Sequence, residues 1–262
     1  LAYDRTAVSI RERGFLDLLD LGLMVVRQWP LALGLSALAG IAPFAVLNAL
    51  IARQALFADT APDALLLPWF EAPLALAPMV VVLGGLMFGD RPSAGRVART
   101  VLRAAPALII MHVLLRALLF AVCFLYVLIP SRLAFVNEVI LLERKPWHQV
   151  TSRNAALCAG EGTELFFQWL AQFVYGSVFV MCAWAGVSMI GHTLAGGELT
   201  WVQPEVAAAR GFTFQLAYWV AIAFFGVVRF LMYIDQRIRR EGWEVELRLK
   251  KEGRKMMGES QW

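Results

Sequence analysis

Four ionisable side chains fall within otherwise apolar stretches: His112, Arg116, Glu138 and Arg229. Charge inside a bilayer is costly, so such residues face a bundle interior and find partners, or they serve a pathway. His112 and Arg116 stand at i, i+4 and share a helix face. Glu138 lies in the next apolar segment, and the spacing predicts that it pairs with Arg116. Such a pair has two uses. It forms a polar site for a lipid headgroup, an anion or a proton path, or it locks two helices around Pro130. Arg229 comes about one and a half turns before the end of the last apolar run, and is expected to snorkel to the adjacent interface. Gln168 and Gln172, again i, i+4, give another span a polar stripe suited to helix–helix hydrogen bonding or to a ligand.

Catalytic and metal chemistry finds no pattern. GxSxG, HExxH and GxxxxGK[ST] do not occur in the sequence. His112, His148 and His192 are scattered, and the latter two belong to different loops on opposite predicted sides. Cys123, Cys158 and Cys182 have no metal-like spacing. Glu161 and Glu164 suit a helix N-terminus, where acids offset the dipole. No enzyme activity, cofactor or metal is expected.

The elements that must position these residues are apolar. The chain has 262 residues, 60% hydrophobic and 17% charged, with mean hydropathy +0.63. Soluble domains run nearer to 45–50% apolar and about 25% charged. A disordered chain, a coiled coil and a nucleic-acid-binding domain are excluded as the main reading. An all-α, polytopic membrane bundle is predicted. Lys145, Lys250, Lys251 and Lys255 are the only lysines among 24 basic residues, a composition typical of a GC-rich bacterial genome. The bacterial inner membrane is the expected location.

Residues 1–30 read as an N-terminal interfacial element, with an amphipathic helix from about Thr6 to Trp29. Phe15, Leu18, Leu19, Leu23 and Val26 form its apolar side. The first apolar run follows this charged stretch without a cleavage site, so no signal peptide is expected. Residues 31–235 form the bundle. Six runs are predicted, at about Leu31–Ala52, up to Phe88, Ala107–Leu128, Ser131–Glu143, Leu165–Ile190 and Phe212–Ile234. The fourth has an apolar part of roughly 18–20 Å against a hydrocarbon core of roughly 30 Å, so it is short, tilted or partly re-entrant. Ala32, Ser36 and Gly40 make a small-residue stripe that lets a neighbouring helix approach.

Six crossings put the N-terminus, the 89–106 loop, the 144–162 loop and the tail on one side. These hold four, four, three and eight Lys/Arg, 19 of the 24. The asymmetry predicts both termini cytoplasmic. A weak repeat aligns Pro92 with Pro146, Arg91 with Lys145 and Arg99 with Arg153, each the start of a helix at a basic face.

Residues 236–262 form a charged tail with eight basic and five acidic groups. Arg237, Arg239 and Arg240 suit anionic lipid headgroups at the cytoplasmic face. Trp243, Val245, Leu247 and Leu249 alternate with charges and add an apolar component suited to another membrane protein subunit. No nucleic-acid partner is expected.

FGDRPSAGRVARTVLRAAP, SRLAFVNEVILLERKP leading into TSRNAAL, and YIDQRIRREGWEVEL resemble segments of a bacterial family of integral membrane proteins. That family includes the membrane domain fused to some glycerophosphodiester phosphodiesterases. The resemblance runs from about Thr6 to Leu249. A phosphodiesterase barrel needs about 250 residues of its own, for which there is no room. The resemblance therefore implies a stand-alone membrane module with no catalytic residues to carry over. Two functions compete: a non-enzymatic accessory or scaffold subunit of a membrane complex, and a lipid- or small-molecule-handling transporter component.

Overall fold

The computed structural model describes residues 14–52, 62–87, 89–114, 133–194 and 211–241. Among them the regular structure is helical throughout. In order these are α1 (Phe15–Gln28), α2 (Pro30–Ala52), α3 (Pro62–Ala75), α4 (Ala77–Met87) and α5 (Ala94–Leu108). A π-helical segment, Ile109–Leu114, continues α5. Then come α6 (Val136–Glu138), a second π segment (Val139–Glu143), α7 (Trp147–Cys158), α8 (Gly162–Leu194) and α9 (Phe212–Glu241). Among the described residues four stretches are long and apolar enough to cross a membrane: Pro30–Ile51, Leu65–Met87, Gly162–Gly191 and Thr213–Arg240. The chain has the character of a multi-pass membrane protein.

Burial separates these four. In α2 and α8 only 17% of the most apolar window is buried, against 56% in α9. Helix α9 is therefore the inner member, lined by α8 on one side and touching α1, α3, α4 and α7. Its middle turns, Val227 to Leu231, join Leu76, Val80 and Leu83 of α3–α4 and Phe135 to Ile140 in the main core. A smaller cluster of Val180, Trp184, Phe214, Ala217 and Ala221 joins the far ends of α8 and α9.

Helices α3 and α4 form one apolar stretch interrupted at Leu76. Pro73 and Pro78 each lack the amide hydrogen that a continuous helix would use there. The interruption is wedged between neighbours. A Cβ on Gly40 of α2 would collide with the Ala75 carbonyl oxygen. One on Gly226 of α9 would lie 2.6 Å from Leu76 Cδ1. Two glycines thus let α2 and α9 close on the broken turn from opposite helices. The small-residue stripe is partly displaced. Gly40 is buried, but Ala32 and Ser36 are half-buried, and the buried line is Leu33, Ala37, Gly40.

Helix α1 buries Leu18, Leu21, Gly22 and Val25, an i, i+3, i+4, i+7 stripe. It lies across α8 and α9. The Phe15 ring stacks 6.4 Å from Tyr175, and a Cβ on Gly22 would stand 3.1 Å from Val228. The expected apolar side was rotated too far, because Leu23 is 58% exposed. Gly22, which has no side chain to display, sets the contact face. Residues 1–13, where the amphipathic reading begins, lie outside the described residues.

The fourth apolar segment is not among the four long helices. Phe135, Val136, Val139, Ile140 and Leu141 are all buried, enclosed by α4, α5, α7 and α9. Its π segment ends at Arg144, which adopts a left-handed conformation at φ 53°. Pro146 then caps α7. The last helix does not stop at Ile234 but runs on to Glu241.

Candidate functional site

The polar groups converge on one half of α9. Arg229, Tyr233, Gln236, Arg237 and Arg240 recur at helical spacing and share a side. At the deepest level Arg229 Nε donates to Glu138 Oε1 at 3.0 Å, and the Glu138 side chain is 0% exposed. Asn137, with its amide oriented to satisfy both neighbours, accepts from Arg229 Nη2 at 3.2 Å and donates to the Pro73 carbonyl at 3.3 Å. One guanidinium thus ties α9 to α6, and Asn137 ties α6 to α3. Glu138 Oε2 is buried with no hydrogen-bond partner among the described residues.

One turn on, Glu143 gathers three groups. Arg153 of α7 donates through Nε at 2.6 Å and Nη2 at 2.9 Å, a bidentate fork. The Tyr233 hydroxyl donates at 3.0 Å. Arg237 Nε stands 4.0 Å away, with its guanidinium 5.9 Å from the Tyr233 ring centroid. Two guanidinium groups and a hydroxyl thus converge on this one carboxylate.

The end of α9 closes on the start of α8. Gln236 donates to the Leu157 carbonyl at 3.0 Å. Arg239 binds Asp235 at 2.8 Å and reaches Glu164 at 4.0 Å, and Arg240 meets Glu161 at 3.7 Å. Between them, Asn154 of α7 accepts from the Phe135 amide at 2.9 Å. Its amide also donates to Cys158 Sγ at 3.7 Å. Burial pushes the Cys158 thiol up to about 11, so it stays protonated and unreactive at neutral pH.

Several expectations change. Arg229 does not snorkel outward. Helix α6 brings a carboxylate to its level, and a buried carboxylate without a counter-charge costs several kcal/mol. Glu138 is thereby engaged by Arg229, and Arg116 lies outside the described residues. His112 is buried at 4% exposure within the first π segment, a geometry frequent at functional positions. Arg237, Arg239 and Arg240 are helical and ion-paired within the chain rather than displayed on a separate tail. Trp243, Val245, Leu247 and Leu249 lie outside the described residues. Gln168 bonds Glu164 of its own helix at 2.9 Å. Gln172 reaches Met232 Sδ at 3.1 Å, a link between helices.

One intramembrane contact had no counterpart in the sequence reading. Asn48 Nδ2 of α2 donates to Glu71 Oε2 of α3 at 2.8 Å. Nearby on the same element, the Leu65 carbonyl accepts from the Tyr218 hydroxyl at 3.0 Å. Glu71 stands between Pro68 and Pro73 inside α3, and prolines so placed blur where a span begins in the sequence. The usable signal was Asn48, a lone amide in an apolar run.

Among the described residues no group of three His, Cys, Asp or Glu is placed to hold a metal. What the seam does chemically is hold α9 in one rotation, by pairing Arg229 with α6, Tyr233 and Arg237 with the second π segment, Gln236 with α7 and Arg240 with the turn before α8. No family model, no curated protein and no solved structure matches the chain.

Proposed function

We propose that this chain is a non-enzymatic, multi-pass protein of the bacterial inner membrane that serves as an accessory or scaffold subunit of a membrane complex. In this reading it crosses the membrane six times with both termini cytoplasmic. The buried segment Phe135–Glu143 is the re-entrant fourth passage, α1 is interfacial, and the seam of α9 lies towards the cytoplasm. The resemblance to phosphodiesterase membrane domains belongs to the same proposal. So do contacts of the tail with anionic lipid and with neighbouring subunits.

The observation that carries the scaffold role is the state of Glu138. A transport path would present its carboxylate to water or solute, whereas this one is wholly buried against Arg229. Meanwhile α2 and α8 leave long apolar sides uncovered, including Leu31, Leu35 and Leu38 on one and Phe167, Phe173 and Val178 on the other. The transporter reading draws on a different atom, Glu138 Oε2, which is buried without a hydrogen-bond partner among the described residues.

The test is extraction into native nanodiscs followed by mass measurement of the particle. A second protein at fixed stoichiometry supports the scaffold role, and the chain alone with lipid overturns it. Accumulation of one solute that Glu138→Gln abolishes while the protein stays folded favours the transporter. For topology, labels at Asp63 and Glu198 should report outside, and at Ser93 and Ser152 inside. Outside labelling at Ser152 overturns the six-crossing arrangement.

A further inference from the structure

Helix α5 carries Arg96, Arg99 and Arg103 and no acidic residue. Val97 and Leu108 turn inward and are buried. The opposite side presents Arg99, Leu102, Arg103 and Pro106, all exposed, with Leu102 at 73%, and continues into exposed Ile110. Arg96 is occupied by Asp90 at 2.7 Å. Arg99 and Arg103 have no ion pair or hydrogen bond among the described residues. The repeat sharpens the point. Arg153, which aligns with Arg99, is spent on Glu143, so the fold uses one of the two equivalent arginines and leaves the other open.

Guanidinium groups flanking an exposed leucine suit neither bulk water nor the acyl layer alone. Water disfavours the uncovered Leu102 and Ile110, and hydrocarbon disfavours the cations. The combination fits the boundary between them, where long basic side chains reach headgroups while their helix rests on acyl chains. We propose that this face of α5 binds an anionic phospholipid. The positive charges of Arg99 and Arg103 attract the anionic headgroup, and Leu102 and Ile110 lie against the acyl chain. Charge complementarity selects this occupant, since no carboxylate of α5 repels it. The inference rests on the membrane-embedded reading above and is independent of the scaffold role.

The experiment uses the full chain in mild detergent, relipidated with phosphatidylglycerol or phosphatidylcholine, with retained lipid counted by native mass spectrometry. The unaltered chain retains phosphatidylglycerol preferentially. The Arg99→Gln, Arg103→Gln double variant binds it more weakly by on the order of tenfold, with unchanged phosphatidylcholine retention and unchanged melting in lipid-free detergent. The Arg99→Lys, Arg103→Lys variant keeps most of the binding. Equal phosphatidylglycerol retention by the glutamine variant overturns the proposal. So does equal retention of the two lipids by the unaltered chain, or a photo-cross-linker at position 102 that captures protein instead of lipid. Carbonate extraction of native membranes separates the two levels. Release of the unaltered chain contradicts the membrane-embedded reading itself, whereas an integrated chain without lipid preference contradicts only this site.

Discussion

The two halves of α9 are held in place by different physics. From Phe212 to about Phe225 the contacts are mainly apolar: Trp184 meets Phe214 edge-on at 6.2 Å, Phe225 lies under Gly176 of α8, and the Tyr218 hydroxyl adds a neutral hydrogen bond to the Leu65 carbonyl. From Arg229 to Arg240 each turn carries a hydrogen bond or ion pair to another element. In lipid, helix association gains nothing from hiding apolar surface, because acyl chains are as apolar as leucine. The first half therefore depends mainly on shape, carries no ion pair among the described residues, and can exchange protein neighbours for lipid. The second cannot slide or rotate without stranding charge, so it fixes the depth and rotation of the whole helix.

That contrast is broken most severely at Glu138. Arg229→Leu leaves the carboxylate buried and unpaired and should cost about 3–5 kcal/mol of stability. A melt of the variant in detergent checks it, and Phe214→Leu in the other half should cost less than about 1.5 kcal/mol. A near-equal loss from the two would erase the distinction between the halves. Shape-dependent packing has its own strong point away from α9. Gly40→Val drives a side chain into the Ala75 carbonyl and should cost about 1–3 kcal/mol. This loss should not vary with pH or salt.

Glu143 adds a second level to the same comparison. Arg153, Tyr233 and Arg237 converge on it, so Glu143→Gln removes a charge that two cations face and should cost about 1.5–3 kcal/mol in a detergent melt. A loss no greater than that of Phe214→Leu would assign the cluster a minor role. The smallest effect belongs at the rim. Arg240 and Glu161 are partly exposed at 3.7 Å, and Arg240→Gln should cost less than about 1 kcal/mol and fade in high salt.

How much was legible follows the same division. The four long apolar helices are readable because a run of about 20 apolar residues has few other uses. Their partners are less so. Spacing placed His112 and Arg116 on one face but says nothing about which helices become neighbours. The pairing of Glu138 with Arg229, 91 residues apart, is a product of tertiary packing. Hydropathy ended the last span at Ile234. The helix runs on because Asp235, Gln236, Arg239 and Arg240 find partners on α7, α8 and the turn between them or, for Asp235 and Arg239, in each other. Glu71 is hidden by its flanking prolines, residues that commonly interrupt a helix, although α3 continues through them. The acids Glu161 and Glu164, read as helix-dipole residues, also receive Arg240 and Arg239, a role that spacing along the chain does not encode.

Arg229 and Glu138 form the charge-paired unit that locks the bundle. A double-mutant cycle of Arg229→Leu and Glu138→Leu, read as unfolding free energy in one detergent, tests this. Each single change should be strongly destabilising and the double variant should recover much of the loss, because two apolar side chains then replace a pair whose breakage strands a charge. Two single losses that simply add, with no recovery in the double variant, would contradict it.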